Sequence, residues 1–249
     1  MSVILVEGGR KLSGSVTVQG AKNSVLPMLA ASVLCGGVCR VQGCPALSDV
    51  ETAAQILRHL GGSVSREGAD LVVDTRELTG WEIPRELMGR MRSSVMFLGA
   101  ILARCGQARC TYPGGCDLGP RPIDLHLSAL RALGAQVREE DGEILCRGER
   151  LRGAEIFLRI PSVGATENAI LAACGAEGVT TISNAAREPE IMELQEFLRK
   201  MGACVQGAGT ATVVVEGRKR LHGCSHRVHP DRIVAATYLC AAAGAGGCI

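Results

Sequence analysis

ILRHLGGSV, residues 56–64, decides the fold, because the chain carries it three times. ALRALGAQV (129–137) and FLRKMGACV (197–205) align with it at offsets of 73 and 68 residues. Each copy reads as the end of a helix, a glycine where a left-handed cap belongs, and the start of a strand. Behind each lies a hairpin pattern: SVSREGADLVVDT, QVREEDGEILCRG and CVQGAGTATVVVEG. Ahead of each lies a helix rich in small residues, in KNSVLPMLAASVLCGG (22–37), RSSVMFLGAILARCGQ (92–107) and TENAILAACGAEGVT (166–180), and a fourth such segment is DRIVAATYLCAAAGAGG (231–247). The expected unit is helix, strand, helix, two strands. Units of this length close a core only by stacking on one another. Three complete units are expected over 22–229. Residues 1–21 and 230–249 read as pieces of a second, incomplete domain.

Composition limits the chemistry. Hydrophobic residues make up 47% of the 249 residues and aromatics 2%, so the core must be aliphatic. Formal charge is +2, with no basic block interleaved with aromatics, which speaks against nucleic acid. The twelve cysteines include no CxxC pair, and MSVILVEGGRKLSG has neither the basic nor the apolar region of a signal peptide, so reduced thiols in a cytoplasmic protein are expected. The uncharged run 233–249 is short for a membrane span. HGCSHRVH (222–229) has ligand-like residue types without a standard zinc spacing, and reads as a strand. Trp81 is expected to pack, and Pro27 to sit in the first turn of its helix.

Charge recurs where the first helix of each unit begins: Lys22-Asn23, Arg92-Ser93-Ser94, Thr166-Glu167-Asn168 and Asp231-Arg232. Helix N-termini attract anions, and a cation there opposes the helix dipole unless an anion arrives. Repeated cations at that position therefore suggest a polyanionic ligand held between converging helix ends. YPGGCDLGPRPIDLHL (112–127) adds a cysteine, Cys116, presented by a Pro-Gly-Gly segment five residues before Arg121.

GAKNSVLPMLAA (20–31), RMRSSVMFLGAILA (90–103), PGGCDLGPRPIDLHLSALRALGA (113–135), PSVGATENAILAA (161–173) and NAAREPEI (184–191) together resemble the bacterial UDP-N-acetylglucosamine enolpyruvyl transferases, also called 1-carboxyvinyltransferases. The resemblance implies an α/β fold, an inside-out α/β barrel of three repeats, with a second barrel beside it and the active site between the two. It implies transfer of enolpyruvyl from phosphoenolpyruvate to the 3′-hydroxyl of UDP-N-acetylglucosamine, with release of phosphate, as the first committed step toward peptidoglycan. No cofactor or metal is implied, and the partners are the two small-molecule substrates.

By the same resemblance Cys116 is the acid that protonates C3 of phosphoenolpyruvate. A general acid must stay protonated at working pH, whereas the nearby Arg121 favours thiolate. Lys22, Asn23 and Arg121 are implied to bind phosphoenolpyruvate. Arg92, Arg121, Pro122, Ile123, Asp124, Leu125, Ser162, Val163 and Gly164 are implied to bind the nucleotide sugar, with backbone N–H groups of 162–164 on the diphosphate. His126 is expected behind that wall. Where some members of the family carry Lys two residues before the serine, this chain has Ile160-Pro161, which predicts a diphosphate held by backbone more than by charge. Two alternatives stay open: a UDP-sugar-binding module without turnover, and the sister activity on shikimate 3-phosphate. As a fragment, the chain is expected to be poorly soluble and inactive alone.

Overall fold

The computed structural model describes residues 3–115, 121–217 and 220–249. The first unit runs α1 (Lys22–Ser32), β1 (Val38–Gln42), α2 (Ser48–His59), β2 (Ser63–Glu67) and β3 (Asp70–Asp74). A short helix, α3 (Arg85–Arg90), and a 3-10 turn, Arg92–Val95, lead into the second: α4 (Met96–Cys105), β4 (Gln107–Thr111), α5 (Asp124–Ala132), β5 (Gln136–Glu140) and β6 (Glu143–Arg147). The third is β7 (Glu155–Phe157), α6 (Val163–Ala173), β8 (Val179–Ser183), α7 (Pro189–Lys200), β9 (Cys204–Gln206) and β10 (Thr212–Glu216). After it come β11 (Ser225–Arg227) and α8 (Arg232–Ala245).

The repeated glycines do what the sequence predicts. Gly61, Gly134 and Gly202 follow α2, α5 and α7 with φ of 96°, 94° and 93°, a left-handed conformation that costs glycine nothing. Each turns its helix into the antiparallel hairpin β2–β3, β5–β6 or β9–β10. In the middle hairpin the link is Asp141-Gly142, both at positive φ, the two-residue turn whose twist matches the strands.

The unit nevertheless has one strand more than expected. β7 pairs in parallel with β8 ahead of the third unit's first helix. In the second unit a single parallel bridge, Glu82 to Arg109, holds the same place. In the first unit that place is filled from far along the chain: β11 pairs in parallel with β1, Arg40 opposite Ser225. The sheets are β11-β1-β3-β2, β4-β6-β5 and β7-β8-β10-β9, and among the described residues they are not hydrogen-bonded to one another.

α1, α4 and α6 fill the space between these sheets. Residues 24–32 of α1 and 165–173 of α6 are all buried, so these helices lack a polar face, as helices inside a core do. Their small residues let the axes approach: the Gly99 N–H of α4 donates to Oδ1 of Asn168 on α6 at 2.8 Å. α2, α5 and α7 are amphipathic instead, with acidic residues in the first turn and basic ones in the last, as the helix dipole favours. Helices inside and sheets outside make the inside-out α/β arrangement, closed by three separate walls.

Three local expectations are corrected. α6 begins at Val163, with Ser162 as its N-cap, so Thr166, Glu167 and Asn168 lie a turn inside the helix and are buried. Pro27 sits beyond the first turn of α1; lacking an N–H, it leaves the Asn23 carbonyl without its i+4 donor. Asp231 is the N-cap of α8, its Oδ1 accepting from Ile233 N at 2.8 Å and Val234 N at 3.2 Å. Trp81 packs against the core as expected. In 222–229, His226 is buried on β11, where its Nε2 meets Glu193 Oε1 at 3.2 Å and its Nδ1 meets Lys200 Nζ at 3.0 Å. Among the described residues, no helix is long and apolar enough to cross a membrane.

Candidate active site

Three helix starts meet at one cavity of about 430 Å³. Asn23 comes from the first turn of α1, Arg92, Ser93, Val95 and Met96 from the 3-10 turn into α4, and Ser162, Val163 and Gly164 from the start of α6. Partial positive charge from the starts of α1 and α6 therefore faces a single volume. The Ser162 side chain accepts from Ala165 N at 3.4 Å, so the cap occupies one of the α6 donors, and Val163 and Gly164 also line the cavity. The fourth small-residue helix does not join: no residue of α8 lines the cavity, although its N-cap Asp231 accepts from the Lys22 backbone N–H at 3.2 Å.

The start of α5 builds another wall with Arg121, Pro122, Asp124, Leu125 and His126. Arg92 reaches across to it, Nη2 donating to the Pro122 carbonyl at 3.1 Å. Partial burial, and then the charge of Arg121, hold the Arg92 pKa below its ordinary value. Two guanidinium groups thus repel each other across a space with room for an anion. Ile123 departs from the expected set: it is 3% exposed and belongs to the core beneath α5.

Lys22 lies at the edge. Its ammonium pairs with Asp49 Oδ2 at 3.0 Å, is 42% exposed, and is absent from the described lining. Cys116 lies outside the described residues. Its approach is described: Gly114 N donates to Met88 O at 3.0 Å and Gly115 N to Gly89 O at 3.1 Å, which presses this segment against α3. A side chain on Gly114 would overlap the Gly89 carbonyl, and one on Gly115, at φ 100°, would come within 2.8 Å of Arg92 N. The glycine pair is therefore needed for a close pass beside Arg92, just before Cys116.

Arg159 escaped the sequence reading, whereas Glu167, expected at a helix start, lines the cavity from a turn inside α6. Arg159 reaches the cavity and pairs with Asp124, so a cation does stand near the α6 N-terminus although Ile160-Pro161 replaces the lysine position. Glu167 lines the cavity floor at 2% exposure. Burial, and then the charges of Glu190 and Glu188, raise its carboxyl well above the usual range. His126 is buried too. Burial, then the Arg92 charge, lower it to about 4, so it is neutral, and its Nδ1 accepts from Asn168 Nδ2 at 3.1 Å.

Residues 6–249 match the family described as EPSP synthase (3-phosphoshikimate 1-carboxyvinyltransferase). The chain is 54% identical over 243 residues to UDP-N-acetylglucosamine 1-carboxyvinyltransferase 2 of Caldanaerobacter subterraneus subsp. tengcongensis, covering 98% of this chain and 58% of that protein. It is 45% identical over 246 residues to UDP-N-acetylglucosamine 1-carboxyvinyltransferase 2 of Bacillus subtilis (strain 168), covering 99% and 57%. The chain thus spans less than two thirds of these curated relatives. Among solved structures, the enolpyruvyl transferase NikO from Streptomyces tendae aligns with a TM-score of 0.84 at 27% identity, over 94% of this chain and 56% of that one. EPSP synthase from Acinetobacter baumannii aligns with a TM-score of 0.73 at 22% identity, over 93% and 53%, a likeness of fold alone. With three helix starts converging as the repeats require and a family match running from residue 6 to residue 249, the chain belongs to the EPSP synthase (3-phosphoshikimate 1-carboxyvinyltransferase) family.

Proposed function

We propose that the protein transfers enolpyruvyl from phosphoenolpyruvate to the 3′-hydroxyl of UDP-N-acetylglucosamine, releasing phosphate, as a cytoplasmic step of peptidoglycan synthesis. The observation that carries this reading is the convergence of the α1, α4 and α6 starts with Arg92, Arg121 and Arg159 on one cavity, a built site for a polyanion. The relatives named as UDP-N-acetylglucosamine 1-carboxyvinyltransferases support the choice of substrate.

In this reading the diphosphate sits over the α6 start, taking N–H groups of Val163 and Gly164 and charge from Arg159. Arg121, Pro122, Asp124 and Leu125 flank the uracil end, and Ile123 supports them from the core. Arg92 meets the nucleotide sugar. Arg121, planar and able to donate twice, faces the phosphate of phosphoenolpyruvate, with Lys22 and Asn23 at its other end. Lys22 must leave Asp49 to reach that anion, an exchange of one surface ion pair for another. Cys116 delivers the proton to C3 while the sugar oxygen attacks C2; loss of a proton and phosphate from the tetrahedral ketal then completes the transfer.

Residues 22–229 form the first domain in this proposal. Residues 1–21 and 230–249 belong to a second one. They touch each other through the Ser13–Cys248 bridge, and the N-terminal stretch and most of α8 are solvent-facing.

Calorimetric titration with UDP-N-acetylglucosamine tests the site, with shikimate 3-phosphate as the competing ligand. Arg92→Ala and Arg121→Ala are each expected to weaken nucleotide-sugar binding about tenfold or more, since each removes a charge-assisted contact. Undiminished binding in both variants, or preference for shikimate 3-phosphate, would overturn the assignment. Cys116 is expected to be the first thiol modified by an epoxide phosphonate shaped like phosphoenolpyruvate, as read by peptide mapping.

A further inference from the structure

Glu167 is the acidic lining residue for which the proposed reaction leaves no task. It lies three and four residues after Gly164 and Val163 on α6, hence one turn deeper on the same face, about 5 Å from the helix start. Its Oε1 is fully buried and has no hydrogen-bond partner among the described residues. The surrounding charges do not supply one. Glu188 and Glu190, at the start of α7, are repulsive neighbours, and Arg232, the cation beside them, is bonded to Glu190 at 2.9 Å. From the facing walls come Arg92 and Arg121, which share the cavity with Glu167 without an ion pair to it, and Asp124, which pairs with Arg159. His126, also lining the cavity, is committed to Asn168.

A buried acceptor left unpaired is destabilising, so its presence in the wall of a ligand cavity points to a partner that the ligand brings. We propose that Glu167 is a sugar-recognition residue, whose carboxyl group exchanges hydrogen bonds with the hexosamine ring substituents of the bound nucleotide sugar. The inference rests on the proposed substrate. With the diphosphate over Val163 and Gly164 and phosphoenolpyruvate near Asn23, the space between belongs to the sugar, and Glu167 forms its floor. The protonation state fits. A neutral carboxylic acid both donates and accepts, as sugar hydroxyl and amide groups do, and it does not repel the adjoining diphosphate as a carboxylate would.

The test is calorimetric titration of the wild-type chain, Glu167→Gln and Glu167→Leu with UDP-N-acetylglucosamine and with UDP. Glutamine keeps a donor and an acceptor, so its affinity for UDP-N-acetylglucosamine should stay within about threefold of wild type. Leucine should weaken UDP-N-acetylglucosamine about tenfold or more and leave UDP unchanged. Unchanged UDP-N-acetylglucosamine binding by the leucine variant overturns the inference, and so does an equal loss for both ligands, which marks a structural role. Failure of the wild-type chain to bind either ligand is a different result: it overturns the substrate reading and the inference with it. A second readout holds even if the leucine variant does not fold. The infrared band of the protonated carboxyl, identified by its absence in Glu167→Gln, should shift on adding UDP-N-acetylglucosamine and not on adding UDP; a band that stays in place with both counts against the sugar contact.

Discussion

His126 and Glu167 are buried at the same cavity and titrate in opposite senses. For His126 the folded value is about 4 against 6.5 for the free side chain. The unfolded chain therefore binds the proton first, and stability present above pH 6.5 is lost as pH falls toward 4. The loss should reach on the order of 3 kcal/mol, and His126→Gln should flatten that part of the curve. The raised Glu167 behaves conversely: its contribution is complete below the ordinary carboxyl range and is lost as pH rises. Glu167→Gln should accordingly gain stability relative to wild type at alkaline pH. Urea unfolding across this range measures both slopes. His126 was expected behind the site wall and is buried there, whereas the environment of Glu167 was not legible in the sequence. Glu167 stands in a run of small residues where a helix start was expected, and only the Ser162 cap, three residues before Ala165, could have moved that start back. Arg159 was missed for another reason: its reach into the cavity depends on α5, which supplies Asp124 from 35 residues earlier.

The three helix-to-hairpin turns were legible because a left-handed cap leaves a strong local mark, a glycine between a helical pattern and an alternating one. They also allow a graded test. Gly134 has nothing within 4 Å of where a Cβ would stand, so Gly134→Ala should cost only the backbone strain, about 1–2 kcal/mol. At Gly61 a Cβ would also come within 3.2 Å of the Glu77 carbonyl, so Gly61→Ala should cost more. Thermal unfolding of the two variants gives the comparison, and equal costs would contradict it. The leading strand β7 left no such mark, since EIF is too short for alternation to show. HGCSHRVH read as a strand and holds β11, but its pairing with β1, like that of β7 with β8, is parallel and long-range and left no local signal. The repeat count could be read from the chain, whereas the closure of the first sheet by a distant strand could not.

Across the molecule, packing is sharply uneven. α1, α4 and α6 are enclosed, while α8 is apolar along its length and buries only Ala242. Amide hydrogen exchange should therefore be slowest in α1, α4 and α6 and fastest in 3–20 and α8. Ile233 and Leu239 leave an apolar face on α8 in water, so the chain should self-associate, and Leu239→Glu should shift it toward monomer in sedimentation. Comparable exchange in α8 and α4 would show that α8 is protected in a way its exposure does not suggest.

The pairing of β11 with β1 also sets a clock. Ser225 lies opposite Arg40, so the β1 edge of the first sheet stays unpaired until the ribosome has added some 185 further residues. At the usual pace of synthesis that is roughly ten to forty seconds. Throughout it β1 offers unpaired N–H and C=O groups to any passing strand. The nascent first unit is thus a client for whatever shields emerging chains, and its hazard ends only when SHR clears the exit tunnel. Moving that segment to the front of the gene, ahead of α1, would let the sheet close as soon as its own unit is made.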